Sequence, residues 1–208
     1  MERLPQSLKN VINQLSSLPG VGPKSALRMG MILLKWPEDR VRNLGQSLID
    51  LRSSLCLCSQ CGGLTEQDPC VICSDPARRD DLLCVVADWD SMLTIDEIGI
   101  YRGKYFVLGG LLSPLEGVQT SQLDLNRLKQ RIEEGNVSEI ILALGTTRDS
   151  EATESYLVNT LEKEFPNIQL TRLAQGIPIG SMLKYVDNET IKQSLAFRQD
   201  LLGDYRNG

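Results

Sequence analysis

The stretch CSQCGGLTEQDPCVIC, residues 58–73, constrains this chain more tightly than any other. It holds two C-x-x-C pairs, Cys58/Cys61 and Cys70/Cys73, separated by the eight residues GGLTEQDP. Each pair fits a short turn that aims both sulfurs at one point. Two such turns make a tetrahedral cage of four sulfurs, the arrangement Zn2+ prefers in closed structural sites. Gly62, Gly63 and Pro69 suit the tight backbone of a metal knuckle. Two disulfides or scattered buried thiols are the plain alternative, and a redox dithiol is a further one. With four protein ligands the coordination sphere is full, so the expected zinc, one per chain, is structural rather than catalytic. Cys56 is a spare that could stand in for Cys58, although C-x-x-C geometry favours Cys58. Cys84, inside LLCVV, reads as a core thiol.

The 208 residues suffice for one or two domains with a sizeable core, and 41% hydrophobic with 24% charged residues is ordinary globular composition. The start, MERLPQSLKN, lacks the pattern of a secretory signal, and MILL is too short to span a bilayer. Thiols without an export signal suggest a reducing cytoplasm. There is no histidine, which excludes Ser-His and Cys-His nucleophile arrangements. The net charge is −5, yet residues 1–52 carry eight Lys/Arg against four acids, hence +4, leaving −9 for the rest. A basic end on an acidic body suits a protein that meets phosphate at one end only.

Upstream of the cysteines the pattern predicts helix, hairpin, helix. Leu8, Val11, Ile12 and Leu15 follow helical spacing, and Leu18-Pro19-Gly20-Val21-Gly22 stops the helix. Pro23 suits the first position of a second helix, whose Ala26, Leu27, Ile32 and Leu34 can pack on the first. A third is expected from Pro37-Glu38-Asp39, with Val41, Leu44, Leu48 and Leu51 inside. Gly20 and Gly22 let backbone approach a ligand, and Lys24 and Arg28, four apart, share a face beside the opening amides of the second helix. A helix-hairpin-helix that grips a DNA backbone has this arrangement; so does a plain αα-hairpin with solvated cations.

Downstream, buried-strand runs at 82–88, 104–110, 139–144 and 169–174 alternate with helices expected at 91–98, 122–134, 151–165 and, after the last strand, 187–200. A Ser121/Asp124 pair is expected to cap the second of these, and Ala152, Tyr156, Leu157 and Leu161 to face inward on the third. Such alternation means parallel βαβ units, with functional loops at the strands' carboxyl ends. Tyr101, Arg102, Lys104 and Tyr105 interleave aromatic and basic character, which reads either as a cationic wall or as a solvated strand edge.

LPGVGPKSALR (18–28), CSQCGGLTEQDPCVICSDPARRD (58–80), YRGKYFVLGGLLSPLEG (101–117) and QGIPIG (175–180) together resemble the RecR family of bacterial recombination mediator proteins, over nearly the whole chain. The resemblance implies an α/β protein with a helix-hairpin-helix region at 1–55, a four-cysteine zinc finger at 56–79, a Toprim domain at 80–176 and a C-terminal helical tail at 177–208. It further implies a bacterial, nucleoid-associated clamp, a homotetrameric ring that acts with RecO and in many bacteria RecF to load RecA onto gapped DNA coated by single-strand binding protein. Such a protein is not an enzyme. The family's zinc ligands fall on Cys58, Cys61, Cys70 and Cys73, and its DNA-contacting cations on Lys24 and Arg28 beside Gly20 and Gly22.

The chain departs from the family's pattern at its acids. Ala87-Asp88 stands where two acids are usual, Thr147-Arg148-Asp149-Ser150-Glu151 where T-x-E-G-E is usual, and Gln175 and Lys184 interrupt the C-terminal signature. Asp88, Asp149 and Glu151 are thus a thinned remnant of the Toprim acidic cluster, available for a partner contact or weak metal binding. A catalytic Toprim enzyme needs several carboxylates converging on Mg2+. Asp149 and Glu151 equally fit helix capping. A Mg2+-dependent primase- or nuclease-like enzyme and a protein-only adaptor are the alternative functions.

Overall fold

The computed structural model describes residues 4–113 and 123–198, which belong to two compact units meeting in sequence at Leu55/Cys56. The first unit has three helices, α1 (Gln6–Ser16), α2 (Pro23–Leu33) and α3 (Glu38–Ser54). Helices α1 and α2 pack through Ile12, Ala26 and Gly30, all buried. Gly30 matters because a β-carbon there would stand 3.0 Å from Leu8 Cδ1, so the missing side chain sets the close approach. The connection is a tight turn in which the Val21 amide donates to the Leu18 carbonyl at 3.1 Å. Pro19 occupies the second position and Gly20, at φ +78°, the third, the signature of a type II turn that requires glycine there.

Two apolar expectations for this unit fail. Ile32 and Leu34 are exposed, because α2 ends at Leu33 and its inward row is Ala26 and Gly30 instead. Helix α3 buries no residue at all: Val41, Leu44, Leu48 and Leu51 all lie exposed. The helical periodicity is real, but it marks a stripe that nothing among the described residues covers.

The second unit opens with a small antiparallel ribbon, β1 (Cys56–Leu57) and β2 (Leu64–Thr65), followed by one helical turn, α4 (Val71–Ser74). An α/β core follows: β3 (Arg79–Val86), α5 (Trp89–Glu97), β4 (Gly103–Val107), α6 (Leu125–Glu134), β5 (Glu139–Ala143), α7 (Arg148–Glu164) and β6 (Gln169–Arg172). A 3-10 turn (Leu183–Tyr185) and α8 (Asn188–Ala196) complete the described residues. The sheet order is β4-β3-β5-β6, with every pairing parallel.

Alternation along β3 sorts the core into two layers. Leu83 and Val85 join Phe106, Ile140 and Leu142 in a cluster with Leu128 and Ile132 of α6 and Leu157 and Leu161 of α7. Cys84 and Val86 join Tyr105, Val107 and Met92 of α5 in a second cluster, which also contains Cys58, Cys61, Ile72, Cys70 and Cys73. The cysteine module therefore does for one sheet face what α6 and α7 do for the other. Cys84 is the core thiol expected, and burial pushes its pKa up to about 12.

Local details differ from the sequence reading. The strand at 104–110 stops at Val107, since Gly109 and Gly110 take positive φ. Helix α6 begins at Leu125, and the Asp124 carboxylate at its cap accepts from Arg127 rather than from a backbone amide; Ser121 lies outside the described residues. Helix α7 begins earlier, at Arg148, capped by the Thr147 hydroxyl. Its inward row includes Ser150 and Thr153, while Ala152 is exposed. The Thr153 hydroxyl is drawn in because it accepts from the Leu112 amide at 2.8 Å.

Candidate metal centre and nucleic-acid contact

The backbone brings four sulfurs to one place. Gly62, at φ +74°, closes the first knuckle, with its amide donating to the Cys58 carbonyl at 2.9 Å and the Cys58 amide to the Gly63 carbonyl at 2.8 Å. In the second knuckle Cys70 caps α4 through its own sulfur, which accepts from the Cys73 amide at 3.4 Å. Amides of Gly63 and Cys70 donate likewise to Cys61 Sγ and Cys58 Sγ, each at 3.4 Å. Such donors favour thiolate over thiol.

All four Sγ atoms lie within 4.8 Å of one another, and Cys61 Sγ stands 3.6 Å from Cys70 Sγ. A Zn–S bond of about 2.3 Å implies a tetrahedral S–S edge of about 3.8 Å, so the cage has the size zinc requires. The cysteines are free thiols, which removes the disulfide alternative. As bare thiols they compete for charge. A hydrogen bond from Cys73 pulls the Cys61 pKa down to about 5. Burial pushes Cys70 up to about 11, and Cys73, engaged with Cys61, is raised further. Cys70 and Cys73 thus resist ionising beside the Cys61 thiolate, an obstacle that a divalent cation at the centre removes. These residues fit one structural zinc. Cys56 is exposed and outside the cage, its sulfur 3.4 Å from the Thr65 carbonyl.

Neither half of the Tyr101–Tyr105 reading holds for Lys104 and Tyr105. Both are buried, and of the two basic residues only Arg102 is exposed. The Lys104 ammonium donates to the carbonyls of Cys73 and Asp75, both at 2.8 Å, and of Ile72 at 3.2 Å. It neutralises the carboxyl end of α4, where carbonyls lack helical partners. Sequence reasoning misses Arg127 altogether: its guanidinium donates to the carbonyls of Cys58 and Ser59 at 2.8 and 3.0 Å.

The acids do not converge. Asp88 caps α5 by accepting from the Ser91 amide at 2.8 Å. Asp149 and Glu151 lie in the first turn of α7, and Glu151 lines a cleft of about 570 Å3 with Glu154, Arg172, Gln175 and Asp187. Among the described residues only the four cysteines form a group able to hold a metal. The loops after β3 and β5 still flank the point where the strand order reverses, the place where open α/β sheets bind ligands.

In the first unit, Lys24 and Arg28 both lie on α2 and reach solvent, and neither pairs with an acid among the described residues. Gly22 caps α2 without a side-chain hydrogen bond, which leaves the first-turn amides open beside those cations.

Comparison with known proteins agrees with these features. Family models match the chain as the RecR helix-hairpin-helix at 8–52, the RecR four-cysteine zinc finger domain at 55–75, the Toprim domain at 81–174 and the RecR C-terminal region at 176–199. A protein of Maridesulfovibrio salexigens named Recombination protein RecR is 56% identical, covering 97% of this chain and 100% of its own. Proteins of the same name from Nitratidesulfovibrio vulgaris and Geotalea uraniireducens are 53% and 42% identical over the same shares. With four family modules matched in order and relatives similar from end to end, the chain belongs to the RecR family.

Proposed function

We propose that this protein is a non-catalytic DNA clamp in recombinational repair, gripping the sugar-phosphate backbone through Gly20, Gly22, Lys24 and Arg28. The observation that carries the reading is the pair of solvent-facing cations, without acidic partners among the described residues, beside open helix amides on a basic unit of an otherwise acidic chain. Backbone contacts of this kind hold duplex DNA without reading bases. The relatives' shared name, Recombination protein RecR, supports recombination as the process. In this reading the clamp works in the bacterial cytoplasm, at the nucleoid, with RecO and RecF to help load RecA on gapped, SSB-coated DNA. Asp88, Asp149 and Glu151 are available there for a partner contact or weak metal binding. A Mg2+-dependent enzyme has weaker support, since Asp88 is engaged as the cap of α5 and Asp149 and Glu151 fit the first turn of α7, where the helix dipole favours acids. Prolonged incubation of the protein with DNA, nucleotides and Mg2+ should yield bound DNA and no product.

Assembly into a ring has its own physical support. The stripe of Val41, Leu44, Leu48 and Leu51 is exposed on α3, and Ile177, Ile179, Met182, Leu183 and Tyr185 are exposed near the C-terminal part. Contiguous apolar surface of this sort marks an association site. Two different isologous faces per chain are enough to close four subunits into a symmetric ring. Replacing Leu48 by Asp should leave one face intact and the other broken. Sizing by light scattering is then expected to give half-size particles that still bind zinc, whereas an unchanged mass would remove α3 from the assembly.

A further inference from the structure

We propose that Lys104 and Arg127 are charge-balancing clamps of the zinc centre, so that its metal affinity is set by the α/β body and not by the cysteine loops alone. Each cation holds one knuckle. Lys104, on β4 and 3% exposed, binds the carbonyls of Ile72, Cys73 and Asp75. Arg127, on α6, spans the carbonyls of Cys58 and Ser59. Both cations thus lie against backbone that carries ligand sulfurs, though they come from elements far along the chain.

The chemistry of the centre asks for them. Four thiolates around one Zn2+ leave a doubly negative group, and here all four cysteines are buried. A buried charge is costly unless it is paired. The amide–sulfur hydrogen bonds lower part of that cost, and two fixed cations supply the opposing charge. Neither cation is isolated: Asp80 stands 3.8 Å from the Lys104 ammonium with its side chain 70% exposed, and Asp124 pairs directly with Arg127. Solvent screens Asp80, whereas Asp124 offsets much of Arg127's charge, so Lys104 contributes more. Groups that orient and electrically support metal ligands typically change metal affinity by about 10- to 100-fold when removed.

The test uses the full-length protein with Lys104→Met, Arg127→Gln and Arg127→Lys. Zinc affinity is measured by competition with a chromogenic chelator, and melting temperature is followed in zinc-loaded samples. Lys104→Met is expected to weaken zinc binding about 10- to 100-fold, Arg127→Gln by a smaller factor, and Arg127→Lys, which keeps the charge, by less again. Unchanged zinc affinity in Lys104→Met and Arg127→Gln, with only the melting temperature of the zinc-loaded protein lowered, marks a role in packing alone and overturns the proposal. So does an Arg127→Lys protein as weak in zinc as Arg127→Gln, because charge is then irrelevant. If Lys104→Met does not accumulate as folded protein, the Arg127 pair decides alone: that side chain is 32% exposed, and its loss leaves the core intact.

Discussion

Replacing Cys58 and Cys70 together by serine is expected to unfold the second unit rather than merely weaken it. Zinc binding to a structural site of this type is worth about 10–16 kcal/mol near neutral pH. Whole domains are stable by only about 5–15 kcal/mol. The cysteine module also covers one face of the sheet, where Cys84, Val86, Tyr105 and Val107 pack against the ligand cysteines themselves. Losing it exposes those side chains and frees the edge strand, whose Val107 amide donates to the Cys61 carbonyl at 2.7 Å in the intact protein. Metal analysis should find no zinc, and circular dichroism should show no cooperative melt for the sheet. Strong chelation of the wild type should do the same, more readily at lower pH. Zinc-bound thiolates have their pKa depressed, so their stabilisation is present at high pH and lost as pH falls. A soluble double variant that melts like the wild type would defeat the structural role of zinc.

The sequence carries the covalent pattern better than the packing. Cys-x-x-Cys spacing reads directly as a metal knuckle because two sulfurs on a tight turn have few other geometries. Parallel βαβ alternation is legible because strands such as LLCVV, buried on both faces, lack polar interruption. Apolar periodicity on α3 is equally legible, but periodicity states only that a face is apolar, not what covers it. Intrachain packing is the wrong default for Val41, Leu44, Leu48 and Leu51, which are exposed. Lys104 misleads for the opposite reason. A lysine beside aromatic residues suggests a wet surface, and its burial depends on carbonyls of residues 72–75, which local sequence does not connect to β4. Arg127 is a case with no signal, since it bonds to residues 69 and 68 positions earlier in the chain.

Substituting Lys24 and Arg28 together by alanine is expected to abolish stable DNA binding near 0.1 M salt while leaving zinc content and the number of subunits per particle unchanged. Both side chains reach solvent, and neither supports the α1–α2 packing, which rests on Ile12, Ala26 and Gly30. Stability should therefore barely change. Each phosphate contact contributes about 0.9 to the slope of log affinity against log salt. Removing two cations from a single engaged subunit flattens that slope by about 2, and removing them from four engaged subunits flattens it by about 7. A salt titration of wild type and variant thus counts how many subunits touch the duplex at once. Because linked contacts multiply, the affinity lost should exceed roughly 100-fold, on the order expected of multivalent binding. The wild type should show little sequence preference, as backbone contacts predict. An electrophoretic shift for the variant that matches the wild type, with the same salt slope, would move the DNA contact away from the hairpin and leave the protein-only adaptor as the better reading.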